Sequence, residues 1–237
     1  MVKLSVNINK IATLRNARGE DSPNLLKITS DIQKFGCNGI TIHPRPDQRH
    51  IKYSDAYDLN NVINTEYNIE GNPSSDFILL VSKIIPTQVT LVPDAEDVIT
   101  SNSGWDTITN KLFLKDIVSQ FKELGIRTSI FIDPDKKMID AALETGTDRI
   151  ELYTQKFAKI YPINPQEAIR NYVSAAEHAN QIGIEINAGH DLCLDNIDFF
   201  SKNIPKLKEV SIGHALVCES LYFGLENVIK KYLIKLK

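Results

Sequence analysis

Histidines stand at the ends of several predicted strands in this chain. Three of its five histidines, His43, His190 and His214, each follow a short β-type run, and a fourth, His50, follows soon after the first. Histidine titrates near neutral pH and can both give and accept a proton. Because parallel strands present their carboxyl ends at one rim of an α/β fold, we expect a proton-transfer site at that rim.

The residues that end or directly follow the predicted strands form a wider candidate set. It comprises Asn7, His43, Glu70, Val92, Asp133, Tyr153, His190 and His214. Glu70 precedes Gly71, and His190 follows Gly189, where the missing side chain lets a ligand approach the backbone. Structural interpretations stay open, since the histidines could bind backbone carbonyls and Glu70 could pair with a rim arginine. His178, in a helical pattern, is expected to be a surface residue.

Four arginines indicate phosphate binding. They lie in two segments, after the first strand and around His43, and are Arg15, Arg18, Arg45 and Arg49. Arginine binds phosphate oxygens with two parallel hydrogen bonds. Barrels often bind phosphate after strands seven and eight, where this chain has glycine-containing turns. The alternative is four surface arginines, for which Asp21 and Asp47 are the nearby acids.

Two other chemistries are weighed against this interpretation. The rim histidines and carboxylates could ligate zinc or manganese, although the chain has no HExxH motif. A Schiff-base lysine needs a desolvated strand end, and Lys10 lies two residues beyond one. Cys193, close to His190, is a weaker candidate nucleophile.

Eight strand patterns alternate with helical patterns along the chain. The predicted strands span residues 3–8, 39–42, 67–69, 88–91, 127–132, 149–152, 184–187 and 209–212. Eight such units in 237 residues predict an α/β fold of the (β/α)₈ TIM barrel type, as a single domain over 1–237. Ser54 and Ser74 are predicted helix N-caps. Residues 9–24 and 93–106 are predicted long loops on the catalytic face, and an open doubly wound sheet is the alternative fold.

Composition narrows the classes of function. The net charge of −3 argues against a general nucleic-acid binder, and no apolar run is long enough to cross a bilayer. A strand pattern begins at once, so we expect no signal peptide. Three widely spaced cysteines fit reduced thiols in a cytoplasmic protein.

Several segments resemble the pyridoxine 5′-phosphate synthase family. They are IATLRNARG at 11–19, GITIH at 39–43, NIE at 68–70, LVP at 91–93, NAGH at 187–190 and IGHA at 212–215, in order along the whole chain. The resemblance implies a TIM barrel with extra helices, assembled as a homo-octamer. It implies condensation of 3-amino-2-oxopropyl phosphate with 1-deoxy-D-xylulose 5-phosphate, without a metal or organic cofactor. The alternative is a metal-dependent barrel hydrolase or isomerase acting on a sugar phosphate.

The resemblance also implies roles for individual residues. His43 and Glu70 match proton acceptors, and His190 matches a proton donor. The residues that match substrate contacts are Asn7, Asn9, Lys10, Arg18, Arg45, His50, Thr100, Asp191, Gly213 and His214. Asn9-Lys10 stands where many members have Asp-His, and Asp191 where many have glycine. Contacts to deoxyxylulose phosphate are therefore the part of the site in which this chain departs from the family.

Overall fold

Eight parallel strands close into a barrel. A computed structural model describes residues 1–94 and 103–237. The strands are β1 (Lys3–Asn7), β2 (Gly39–Ile42), β3 (Glu66–Gly71), β4 (Gln88–Leu91), β5 (Arg127–Ile132), β6 (Arg149–Tyr153), β7 (Glu185–Gly189) and β8 (Leu207–Ile212). Each pairs with its neighbours in chain order, and β1 closes the ring because Ser5 pairs with Gly39 of β2 and with Ser211 of β8. The predicted TIM barrel is confirmed, and the open sheet is wrong.

Some strand boundaries differ from the sequence prediction. Strand β3 runs to Gly71, so Glu70 lies within the strand rather than after it, and β7 continues to Gly189. Tyr153 is likewise the last residue of β6. The prediction ended β3 and β6 at the aliphatic residues Ile69 and Leu152, and β7 at Asn187. The observed strands extend further because polar side chains continue the side that faces the barrel axis.

Eleven helices surround the barrel in the described part of the chain. They are α1 (Asn9–Asn16), α2 (Leu25–Lys34), α3 (Tyr53–Asn60), α4 (Ser75–Ile84), α5 (Lys111–Glu123), α6 (Lys136–Glu144), α7 (Gln155–Ile160), α8 (Pro165–Ile182), α9 (Ile197–Asn203), α10 (His214–Phe223) and α11 (Leu225–Lys235). Strands β1, β6 and β8 are each followed by two helices, which confirms the predicted extra helices.

Two local predictions are wrong and one is confirmed. Residues 9–16 form α1 instead of the start of a long loop. Ser54 is not an N-cap, because α3 begins at Tyr53 and the Asp55 carboxylate accepts from the Lys52 amide. Ser74 caps α4 by accepting from the Phe77 amide at 3.3 Å.

The apolar core lies between the strands and the helices. Outward-facing residues such as Leu4, Val6, Ile40 and Ile42 are fully buried there. Alternation along a strand turns the intervening residues toward the barrel axis. We therefore expect the barrel interior to be occupied by residues such as Ser5, the neighbours of these aliphatic side chains.

The barrel interior is polar and hydrogen-bonded across strands. Thr41 Oγ1 lies 2.7 Å from Ser5 Oγ, and Asn68 Nδ2 donates to Thr41 Oγ1 at 3.3 Å. Asn68 Oδ1 accepts from Thr90 at 3.1 Å and from Gln88 at 3.2 Å. Branched aliphatic side chains usually fill this space in TIM barrels. Here the apolar burial that holds the fold together is mostly outside the barrel.

No helix in residues 1–94 or 103–237 is long and apolar enough to cross a membrane.

Candidate active site

An open cavity of about 500 Å³ lies at the carboxyl ends of the strands. Its lining contains eleven residues for which the family resemblance implies a catalytic or substrate-binding role: Asn7, Asn9, Lys10, His43, Arg45, His50, Glu70, His190, Asp191, Gly213 and His214. Thr13, Arg49, Val92, Phe131, Glu151, Gln155 and Ser211 complete it. The loops after β1, β2, β7 and β8 and the end of β3 thus meet around one space.

Other candidate residues lie elsewhere. Arg18, just past α1, is exposed and does not line the cavity, and Thr100 lies outside the described residues. Most of the predicted 93–106 loop also lies outside them. Asp133 accepts from the Gly104 amide at 3.0 Å and pairs with Lys156 at 3.5 Å, so it anchors the chain beside the barrel. The described residues contain no cluster of three or more potential metal ligands.

His43 and His50 form a buried pair at the end of β2. Their ring centroids lie 6.1 Å apart, and the residues are 7% and 8% exposed. Burial, followed by the charge of Arg45, lowers the pKa of His43 well below its ordinary value. The same two causes lower the pKa of His50 to about 4. Both imidazoles are therefore neutral at pH 7 and can accept a proton.

His190 has a different environment at the end of β7. Its Nδ1 lies 2.5 Å from the Asp191 carboxylate, and its ring packs edge-on against Tyr153 at 5.0 Å between centroids. Its backbone φ is +102°, a conformation that residues with a Cβ rarely adopt. His190 is thus the cavity histidine with a carboxylate partner in the described structure.

Glu70 and Glu151 are two buried carboxyl groups that line the cavity. Burial and then the charge of Glu151 raise the pKa of Glu70 well above its ordinary value. Burial and then the charge of Glu209 raise the pKa of Glu151 to about 8. Both carboxyl groups therefore keep their proton to a higher pH than an ordinary glutamic acid does. Close carboxyl groups behave in this way because both cannot ionise in one buried site.

Glu151 was missed in the sequence. It lies between Ile150 and Leu152 within the predicted strand 149–152. The alternation of Arg149, Glu151 and Tyr153 with aliphatic residues is the signal that could have identified its side chain as facing the barrel axis.

The arginines divide into two groups. Arg45 and Arg49 line the cavity, and they pair with Asp94 and Asp47 respectively. Arg15 does not line it: its two terminal nitrogens each donate to the Asp55 carboxylate at 2.7 Å. The prediction of phosphate binding by Arg15 is therefore wrong, because that guanidinium joins α1 to α3.

The departures from the family pattern also have defined places. Asn9 Oδ1 accepts from the His43 amide at 2.9 Å, so this side chain fixes the backbone of a candidate catalytic residue. Lys10 is exposed beside the cavity.

Gly213 packs against Asn7, at a distance where a Cβ would contact the Asn7 side chain at 3.1 Å.

Cys193 is unsuited to nucleophilic attack. It does not line the cavity, and burial raises the pKa of its thiol. A reactive cysteine needs the opposite shift, because the thiolate is the nucleophile.

Comparison with known proteins gives a family match and close relatives. Residues 4–237 match the family described as pyridoxal phosphate biosynthesis protein PdxJ. Pyridoxine 5′-phosphate synthases from Flavobacterium johnsoniae and Cytophaga hutchinsonii are 63% and 58% identical over 237 residues, covering 100% of both chains in each case. The solved structure of phosphoribosylanthranilate isomerase from Thermotoga maritima is similar with a TM-score of 0.62 at 12% identity, covering 100% of this chain and 98% of that one. At that identity the likeness concerns the barrel fold alone.

Proposed function

The chain belongs to the PdxJ family of pyridoxal phosphate biosynthesis proteins, and on that premise we propose how its cavity forms pyridoxine 5′-phosphate. The reaction condenses 3-amino-2-oxopropyl phosphate with 1-deoxy-D-xylulose 5-phosphate and releases phosphate and water. The observation that carries the proposal is that His43, Glu70 and His190, at the ends of three different strands, line one cavity together with Arg45 and Arg49.

Imine formation, phosphate elimination and ring closure need proton transfers at several atoms. His43 acts as a base, and its neutral buried imidazole supports this role. His190 acts as the proton donor to departing oxygen. One positioned acid or base typically contributes about 10²–10⁴ in rate.

Glu70 acts as a base only after it has lost its proton. The aminoketone enters with an ammonium group. A cation close to a carboxyl group lowers the pKa of that carboxyl group. Substrate binding would therefore favour the carboxylate of Glu70, whose proton passes to solvent through the open cavity. In this scheme the substrate itself activates the base.

The cationic side of the cavity binds the phosphates. Arg45, His50, Gly213 and His214 are proposed for the aminoketone phosphate, with Asn7 beside them and with Arg18 and Thr100 completing the contacts. The amino end of α10, which begins at His214, supports an anion site there. Asn9 and Lys10 are proposed to face deoxyxylulose phosphate, with Lys10 supplying positive charge.

We also propose that the chain is a single domain that assembles into a cytoplasmic homo-oligomer, an octamer by the family resemblance. The carboxyl end of α10 supports assembly, because Leu221 and Tyr222 are 78% and 85% exposed there. Exposed contiguous apolar side chains commonly mark protein–protein contacts.

Incubation of the purified protein with both substrates tests the proposed reaction. We expect pyridoxine 5′-phosphate and inorganic phosphate in equal amounts, and unchanged activity after exhaustive chelation. Absence of product with correctly folded protein would overturn the reaction, and loss of activity on chelation would favour the metal-dependent alternative.

A further inference from the structure

We propose that Asp191 is a positioning residue for His190 and not a substrate ligand. The inference rests on the proposed function, because it concerns the proton that His190 donates. The family resemblance implied a substrate contact at position 191, where many members have glycine. The proposed role of positioning His190 belongs to the aspartate of this chain.

The first argument is the contact between the two side chains. His190 Nδ1 lies 2.5 Å from Asp191 Oδ2, and the side chains are 22% and 36% exposed. A carboxylate accepts only from a protonated nitrogen, so the proton resides on Nδ1. This leaves Nε2 as the atom that exchanges a proton with the ligand.

The arrangement suits a proton donor in detail. The imidazolium carries protons on both nitrogens and gives the Nε2 proton to the departing oxygen. The ring then returns to its neutral form, and the N–H at Nδ1 still donates its hydrogen bond to Asp191. A carboxylate that orients a histidine in this way also stabilises the imidazolium.

The second argument is the rigidity of the turn that carries the pair. Thr154, fully buried, donates from its amide and its Oγ1 to the Gly189 carbonyl at 3.2 and 2.7 Å. The Asp191 amide donates to the same Oγ1 at 3.4 Å. These bonds hold His190 at its unusual φ of +102°. Strained backbone of this kind persists only where the surroundings fix it, and it is concentrated at functional sites.

The third argument is the contrast with the other histidines of the cavity. His50 Nδ1 accepts from the Ile51 amide at 2.9 Å, and His214 Nε2 lies 3.6 Å from the Cys218 thiol. In residues 1–94 and 103–237, the histidines with a carboxylate partner are His190 and the distant His178. Within the cavity, the carboxylate partner is thus found on the histidine proposed as the proton donor.

Steady-state kinetics of Asp191→Asn and Asp191→Gly test the proposal. Asparagine keeps an acceptor oxygen and removes the charge, whereas glycine removes both. If Asp191 acts through His190, both variants lower kcat by on the order of 10- to 100-fold and leave both KM values within about threefold. If Asp191 binds substrate, glycine raises the KM for deoxyxylulose phosphate more than asparagine does, with kcat retained. Asp195→Asn, the same charge change at an exposed position of the same turn, is the control and should change neither parameter.

A spectroscopic measurement separates this inference from the proposed reaction. In substrate-free protein labelled with ¹⁵N-histidine, we expect the His190 Nδ1 signal of a protonated nitrogen, and a shift of that signal in Asp191→Asn. An unprotonated Nδ1 would overturn the inference even if the protein makes pyridoxine 5′-phosphate. A protonated Nδ1 in a protein that makes no product would overturn the reaction and leave the pairing intact.

Discussion

Burial sets the charge of the two residues proposed as bases before any substrate arrives. Burial and a neighbouring like charge lower the pKa of His43 and raise the pKa of Glu70, so each environment favours the neutral form. The neutral form of His43 can accept a proton directly, whereas Glu70 can do so only when a cation stabilises its carboxylate. This order agrees with a reaction in which an ammonium group must first lose a proton.

Replacement of Glu70 tests whether the reaction needs an ionised carboxylate at this position. Glu70→Gln keeps the shape and the hydrogen-bonding capacity of the neutral acid but cannot ionise. We expect turnover to fall by at least about 100-fold while the aminoketone still binds. Rapid-quench turnover and calorimetric titration measure the two quantities, and near-normal turnover would remove Glu70 from the mechanism.

Helix α1 places two arginines in different surroundings only one turn apart. Arg15 is buried against Asp55 of α3, and the exposed Arg18 follows the helix end. A guanidinium with a buried bidentate partner is structural, because removing it leaves the carboxylate without compensation. A guanidinium that points into solvent beside a site can instead reach a ligand, or the site of a neighbouring subunit.

The paired substitutions Arg15→Ala and Arg18→Ala separate these roles. We expect Arg15→Ala to lower the free energy of unfolding by about 3–5 kcal/mol, the usual cost of breaking a buried ion pair. Arg18→Ala should leave stability within about 0.5 kcal/mol and raise the KM for the aminoketone. Urea unfolding measures the change in stability, and initial rates measure the KM. Equal stability losses in the two variants would contradict the assignment.

Sequence patterns predicted the strands well and the short helix poorly. Aliphatic runs identify all eight strands, because their outward faces are buried against helices. Helix α1 buries only Ile11, Ala12 and Arg15 and has no side-chain N-cap, so its pattern resembles a loop. The Arg15–Asp55 pairing joins residues 40 positions apart, and no local pattern encodes such a contact.

The candidate site was predictable where it follows strand ends. His43, Glu70 and His190 were all located by their position directly after predicted strands. Glu151 was not predicted as a site residue. Its side chain lies in a polar barrel interior, whereas TIM barrels are usually filled with aliphatic side chains. The roles of all these residues stay predictions.

At the scale of the whole molecule, the exposed apolar end of α10 makes the proposed assembly testable. We expect Leu221→Asp to shift the protein to smaller assemblies, because a charge in a buried contact is costly. Light scattering after size exclusion measures the mass, and circular dichroism verifies that the barrel is intact. A parent protein that is already monomeric would contradict the proposed oligomer.

The stability of the whole barrel should also depend on pH through Glu209. Burial and then the charge of Glu66 raise its pKa from 4.5 to about 7. The folded state therefore holds this proton more tightly than the unfolded state, and the free energy of unfolding falls as pH rises between those values. We expect Glu209→Gln to be more stable than the parent by up to about 3 kcal/mol at pH 8.5, with no gain at pH 4.

Urea unfolding at both pH values measures this difference. The exposed Glu226→Gln, which loses the same charge on α11, is the control and should show no pH-dependent gain. A gain for Glu209→Gln that is equal at both pH values would exclude titration as its cause.

The polar interior of the barrel has a consequence for heat capacity. Unfolding exposes apolar surface, which raises the heat capacity, and polar surface, which lowers it. The hydrogen-bonded interior around Asn68 adds to the second contribution without adding to the first. We expect calorimetry to give a heat-capacity change of unfolding below the usual value of about 12–15 cal/mol/K per residue. A smaller change flattens the dependence of stability on temperature, so this barrel should lose less of its stability on cooling or warming than an aliphatic-filled barrel of equal length.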